Sequence, residues 1–331
     1  MDRTMETHQH ALGIALGEES MGYGVADSDG KLLFRGVRSV EAGISREGII
    51  ENIVKCIDDA LFWCEGNKIT LAGLGIGTPG IIDNGLILGG AENLPEWDNL
   101  PLGGLLSRRF DLPVFVDNDK NLEGLAEFRF GCAKGDQDVV FINIGTTIGG
   151  TMIINGRLYG GHRNRGAEFG HLIVEPNGRR CSCGAAGCLE AYASTSALLN
   201  DYKTFSKQKR AAAAISQVRQ VADRYLQKET AAVKSFDLHF DYLATAIAGL
   251  INVISPQKVI IAGELPETGA FYMENLRKRV ASLVLKETSV FTSVVPAGLG
   301  DEAGILGGAA LVFERCGPTN LHPNGNLEKV S

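Results

Sequence analysis

Apolar positions along this chain fall into two rhythms, and the changes between them outline an alternating α/β protein. Residues 13–33 read G-I-A-L-G-E-E-S-M-G-Y-G-V-A-D-S-D-G-K-L-L, and residues 141–159 read F-I-N-I-G-T-T-I-G-G-T-M-I-I-N-G-R-L-Y. Each holds a short apolar strand ending at a glycine, Gly17 or Gly145. A second glycine follows at Gly22 or Gly150, then another strand, then a polar turn at 27–30 or at Asn155-Gly156. The pattern predicts a hairpin with a glycine-bearing tip that continues into a third strand. Its recurrence predicts two related lobes, with the two tips facing a shared cleft.

Between and after these echoes the rhythm alternates. Ser45 reads as the cap of a helix over 45–64, with Ile49, Ile50, Ile53, Val54, Ile57 and Leu61 on one face. Residues 70–77 read as a strand entering the turn Thr78-Pro79-Gly80. Residues 113–117 read as a short strand, followed by a helix to about 128. A mostly helical region spans 190–255, with Leu243, Ile247, Leu250, Ile251 and Ile254 at helical spacing. A buried-type strand follows at 258–263 and a small-residue helix at 301–315. The Pro/Asn/Gly-rich stretch 317–331 is expected to fray.

Composition narrows the class. A length of 331 residues suits two domains, and 44% hydrophobic with 21% charged residues is ordinary for a globular protein. Net charge is −7 and the basic residues form no stripe, so nucleic acid is not an expected partner. The polar start, residues 1–10, lacks the basic-then-apolar pattern of a secretory signal. No apolar run reaches the length of a membrane span, so no membrane partner is expected. Seven cysteines, an odd number with one metal-like cluster, predict a reducing compartment and hence the cytoplasm. Cys56 and Cys64 lie in the apolar helical pattern and read as packed.

That cluster is the most specific feature of the chain. His171, Cys181, Cys183 and Cys188 form a His-x9-Cys-x-Cys-x4-Cys set, with Gly184 and Gly187 permitting tight turns. Three thiolates and one imidazole complete the tetrahedral shell of structural zinc, leaving no open position for chemistry. Three free thiols beside an unrelated histidine is the alternative.

Other polar residues carry two readings each. Asp117-Asn118-Asp119 ends a strand and begins a helix. There a carboxylate can accept a proton from a substrate hydroxyl. From the residues alone, Asn118 or Asp119 reads first as a helix cap. Glu168 and His171 frame Gly170, and Glu190 follows Cys188. These groups can meet a polyol, or Glu190 can simply occupy a helix's first turn. Asn93, in Asn-Leu-Pro-Glu-Trp, suits a sugar diol or an Asx-turn.

Glu168-Phe169-Gly170-His171 and Cys181-Ser182-Cys183-Gly184-Ala185-Ala186-Gly187-Cys188-Leu189-Glu190 resemble the ROK family (repressor, open reading frame, kinase) of sugar kinases, within the actin-like ATPase superfamily. Gly77-Thr78-Pro79-Gly80, Asn93-Leu94-Pro95 and Asn118-Asp119 support the resemblance, which covers roughly 11–313. It implies two actin-like (ribonuclease H-like) α/β lobes with an interlobe cleft and a zinc-pinned loop. The expected division is 1–117 completed by a C-terminal helix at about 301–331, and 118–300. It implies Asp119 as general base and Asn93, Asn118, Glu168, His171 and Glu190 as sugar ligands, His171 serving zinc with its other nitrogen. It further implies ATP with Mg2+, contacts at Gly17, Gly145, Thr146 and Gly263, a hexose substrate and a homodimer.

The nucleotide side departs from the family pattern. Where the first phosphate loop usually reads Asp-x-Gly-Gly-Thr, this chain has Ala15, Leu16, Gly17, Glu18 and Glu19. Two negative charges about 4 Å apart repel by about 4 kcal/mol at an effective dielectric near 20. Thr147 replaces a glycine in the second loop, and Glu264 and Leu265 replace others near the adenosine region. The expectation is a glucokinase-type sugar kinase, with a non-catalytic hexose-binding relative as the alternative. The first lobe begins by about Ala11, so no DNA-reading module is expected ahead of it.

Overall fold

The computed structural model describes residues 9–17, 19–41, 43–91 and 94–317, without the side chains of Ala211 and Ser289. The expected fraying stretch and Asn93 therefore lie, wholly or almost wholly, outside the described residues. Two compact units divide the chain: Met1–Phe130 with Asp301–Ser331, and Gly131–Gly300.

The first unit opens with β1 (His10–Leu16), β2 (Ser20–Asp27) and β3 (Leu32–Ser39), an antiparallel meander as the first echo predicts. Helix α1 (Arg46–Asn67) follows, its N-terminus capped by the Ser45 side chain, which accepts from the Gly48 amide. Then come β4 (Leu71–Thr78), the small hairpin β5 (Ile81–Asp83) and β6 (Leu86–Gly89), α2 (Leu102–Phe110), β7 (Val114–Asn118) and α3 (Asp119–Arg129). The sheet order is β3-β2-β1-β4-β7, with β4 and β7 added in parallel. Side chains alternate across a strand. Leu12, Ile14 and Leu16 join Ile49, Ile53 and Ile57 of α1 in one core. Full burial of each such isoleucine is worth about 2 kcal/mol relative to exposure.

The second unit repeats the plan. Strands β8 (Val139–Ile144), β9 (Ile148–Ile154) and β10 (Arg157–Leu158) form the meander. Asn155 and Gly156 both have positive φ between β9 and β10, the requirement of a type I′ turn. Helices α4 (Glu190–Ala193), α5 (Thr195–Phe205), α6 (Lys209–Ala213), α7 (Val218–Leu226) and α8 (Thr230–Ile254) come next. Then β11 (Lys258–Ala262), α9 (Ala270–Leu283), α10 (Lys286–Ser289) and β12 (Ser293–Pro296) complete the order β10-β9-β8-β11-β12. Its core gathers Val140, Ile142, Phe236, Phe240, Leu243 and Ile261.

The chain then returns to the first unit as α11 (Ala303–Cys316), which packs on β1, β4 and α3. Glycine makes that contact possible: a Cβ at Gly13 or Gly75 would land on the Ile305 or Gly308 carbonyl. The first compact unit runs past the expected 117/118 division. Leu122 and Leu125 of α3 form a cluster with Ala310 and Leu311 of α11, so the first unit extends through Phe130.

Candidate functional site

In the first unit, β7 carries Asp117 and Asn118 to the start of α3. Asp117 is buried, and its Oδ1 accepts from the Asn118 amide at 2.7 Å and from Asn121 Nδ2 at 2.9 Å. Asn118 is the cap. Its Oδ1 accepts from the Lys120 and Asn121 amides at 2.9 and 3.3 Å, and its Nδ2 donates to the Gly80 carbonyl at 2.9 Å. The side chain thereby ties the Thr78-Pro79-Gly80 turn to the helix, and its second amide hydrogen has no partner among the described residues. Trp97 is buried and donates to Thr78 Oγ1 at 2.8 Å.

Asp119, the first helical residue, is thus freed from capping. Its Oδ2 lies 3.1 Å from Lys120 Nζ, which also reaches Glu123 Oε1 at 2.7 Å. Burial would lower the Lys120 ammonium, but Glu123 and Asp119 outweigh it and raise the group above its ordinary value. Neither Lys120 nor Glu123 stands out by type, although their i,i+3 spacing on a helix was readable.

At the first hairpin tip the Gly17 amide donates to the Ser20 carbonyl at 2.9 Å. Glu18 lies outside the described residues, and Glu19 is exposed. Ala15 carries no oxygen ligand, and its Cβ lies so close to Gly304 that a Cβ there would come within 2.7 Å.

In the second unit the matching tip is held from two sides. The Gly145 amide donates to the Thr147 carbonyl, and the Gly145 carbonyl accepts from the Thr195 amide, both at 2.9 Å. Ile148 N–H donates to Glu190 Oε2 at 3.0 Å. Thr146 and Thr147 are exposed at the tip. Gly263 follows β11 at φ 103, and a Cβ there would land on the Ile144 carbonyl oxygen, so only glycine permits this approach. Glu264 is exposed, whereas Leu265 is fully buried and belongs to the core.

The Glu168-Phe169-Gly170-His171 turn packs on β9: a Cβ at Gly170 would meet the Ile148 carbonyl, and Phe169 lies against Gly150. Burial pushes the Glu168 carboxyl above its ordinary value; His171 opposes the rise and Glu190 adds to it.

His171, Cys181, Cys183 and Cys188 converge, their ligand atoms all within 4.8 Å of one another. His171 Nδ1 is 3.7 Å from Cys181 Sγ, and Cys183 Sγ is 3.7 Å from Cys188 Sγ. Zinc–sulfur bonds of about 2.3 Å in a tetrahedron put sulfurs about 3.8 Å apart, so the donor set fits zinc. Burial and the neighbouring Cys183 and Cys181 thiols push Cys188 up to about 12, whereas a bond from the Ala185 backbone draws Cys183 below its ordinary value. Nδ1 faces the thiols, which leaves His171 Nε2 for another partner.

A clasp unread in the sequence anchors this loop. The Arg179 guanidinium grips Asp201 at 2.7 and 2.9 Å and lies 4.7 Å over the Tyr192 ring, whose hydroxyl accepts from the Arg179 amide at 2.7 Å. A cavity of about 600 Å³ opens beside it, bordered by Thr146, Arg180, Ser182, Ser196, Asn200 and Thr204 among others.

The sequence profile of the ROK family matches residues 11–315. A glucokinase of Thermotoga maritima is 34% identical over 322 residues, spanning 92% of this chain and 98% of that protein. A xylose repressor of Bacillus spizizenii is 27% identical over 305 residues, spanning 92% of this chain and 77% of the repressor. The ROK family glucokinase of Streptomyces griseus, solved in complex with glucose and AMPPNP, superposes with a TM-score of 0.76 at 30% identity, covering 92% of this chain and 99% of that one.

Proposed function

The chain belongs to the ROK family, and on that premise we propose that it is a sugar kinase phosphorylating a hexose hydroxyl with ATP, in the manner of a glucokinase. The observation that carries this reading is the 34% identity spanning 98% of the Thermotoga maritima glucokinase. Asp119 would accept the hydroxyl proton as the oxygen attacks the terminal phosphorus, whose bond to the bridging oxygen breaks to release ADP. Because Asn118 supplies the helix cap, Asp119 is spared that task, which supports its role as base.

Asn93, the spare amide hydrogen of Asn118, Glu168, His171 through Nε2, and Glu190 would hold the remaining sugar hydroxyls. Glu190 keeps unused lone pairs beside its bond to Ile148. Gly17, Gly145, Thr146 and Gly263 would meet the nucleotide. Zinc on His171, Cys181, Cys183 and Cys188 would fix the loop without touching the reacting atoms. Magnesium bound with ATP neutralises phosphate charge, and Ala15 contributes no oxygen to it.

That last point favours a second reading, a hexose-binding protein without turnover. A panel of hexoses against ATP, ADP and polyphosphate, with sugar phosphate detected directly, separates the two. Product from any pair supports the kinase. Hexose binding by calorimetry with no product from any donor supports the second reading.

A further inference from the structure

The metal loop and the second hairpin tip meet through one side chain. Glu190 opens α4 two residues after the ligand Cys188. Its Oε2 accepts the Ile148 amide at 3.0 Å, while its Oε1 lies 3.4 Å from Ser182 Oγ and 3.9 Å from Cys181 Sγ. Five residues farther on, the Thr195 amide holds the Gly145 carbonyl at 2.9 Å. The segment leaving the cysteine cluster therefore grips both sides of the Gly145–Ile148 turn.

We propose that Glu190 is a positioning residue that couples metal occupancy of the Cys3His loop to the conformation of the hairpin tip at Gly145, Thr146 and Ile148. The coupling is mechanical. With the metal in place, Cys181 and Ser182 are held in a fixed relation to Cys188, and Glu190 spans from them to the tip. When the metal leaves, the Ser182 end of the span moves, and the Ile148 amide loses its fixed acceptor. A carboxylate accepting a backbone amide is a charge-assisted bond, stronger than an ordinary neutral one. The tip is the stretch assigned above to phosphate contact, so metal would preset the donor side as well as the sugar side. The proposal rests on the loop holding a metal and goes beyond the kinase reading, since it holds whether or not the protein turns over.

Amide hydrogen exchange on the zinc-loaded chain tests it without any substrate. The Ile148 amide is expected to exchange slowly in the loaded wild type. It should accelerate at least about tenfold on chelation, while amides of β8 and β11 stay protected. Glu190→Ala should give the same acceleration with zinc still bound. Glu190→Gln should restore protection, because the amide oxygen accepts from Ile148 N–H while its N–H2 donates to Ser182 Oγ. Should Glu190→Ala fail to fold, Ser182→Ala cuts only the loop end and is expected to raise Ile148 exchange alone. Unchanged Ile148 protection in Glu190→Ala, or in Ser182→Ala where that variant stands in, overturns the proposal. So does chelation that loosens only the cysteine loop. Absence of turnover in the panel above would sink the kinase reading and leave these outcomes intact.

Discussion

The Lys120 ammonium stands 3.1 Å from Asp119 Oδ2, so the proposed base starts the reaction already paired to a cation on its own helix. Glu123 closes the group at 2.7 Å from the same nitrogen. Lys120→Met would leave two neighbouring carboxylates with that cation gone. The side chains are only 20–29% exposed, and a loss of about 1–2 kcal/mol in unfolding free energy is expected, between the values for surface and buried pairs. Turnover should fall at least about tenfold with hexose KM within about threefold, and Lys120→Arg should recover most of it. Lysine raised in the folded state stabilises fully below its ordinary 10.5 and loses that contribution only as pH rises beyond it. The stability gap between wild type and Lys120→Met should therefore be flat from about pH 6 to 9 in urea titrations.

His239 supplies the acid-side counterpart. It is fully buried in α8, with Nε2 2.8 Å from the Tyr272 hydroxyl and, among the described residues, no partner on Nδ1. Burial pushes it from 6.5 down to about 3. The folded value lies below the unfolded one, so the unfolded chain binds the extra proton within that window. Its contribution is complete above pH 6.5 and is lost as pH falls toward 3, at about 1.4 kcal/mol per pH unit. Glu or Asp titrations remain in both proteins, so the comparison is differential. His239→Gln should show a shallower decline by about that slope between about pH 4 and 6. Parallel declines would contradict the assignment.

Ala167 enters the Glu168–His171 turn at φ 64, a left-handed conformation that costs an L side chain about 1 kcal/mol. Ala167→Gly removes that cost. Its unfolding free energy should rise by up to about 1 kcal/mol in chemical denaturation, and a fall would show that the Ala167 methyl contributes packing worth more than the strain.

The Cys3His shell predicts one zinc per chain by elemental analysis of protein purified without added metal. Cys183→Ser should lose the metal and lower the melting temperature, because a structural zinc contributes directly to folding. A metal-free wild type with the same melting temperature as the loaded protein would exclude the structural role.

Much of this was legible in the residues. The two glycine-tipped hairpins, the Ser45 cap and the His/Cys set were readable because each rests on local chemistry at short spacing. The choice between Asn118 and Asp119 as cap was not: either can cap a helix, and the order shows in the bonds that Asn118 Oδ1 accepts from the Lys120 and Asn121 amides. The unit boundary at Phe130 depends on Leu122 and Leu125 meeting Ala310 and Leu311, residues far apart in the chain. The Arg179–Asp201 clasp and the Glu190–Ile148 bond are likewise tertiary pairings between ordinary residue types. Leu265 read as an eroded nucleotide contact, yet it is core, since an apolar residue after a strand serves packing as readily as a ligand.

Phosphorus-31 NMR of glucose, ATP and Mg2+ incubated with wild type and with Asp119→Ala bears most directly on the chemistry. A hexose phosphate resonance is predicted for the wild type and none for the variant, with hexose affinity of the variant within about tenfold by calorimetry. Equal product from both proteins would remove Asp119 from the reaction, and a silent wild type across every hexose would contradict sugar phosphorylation by this chain.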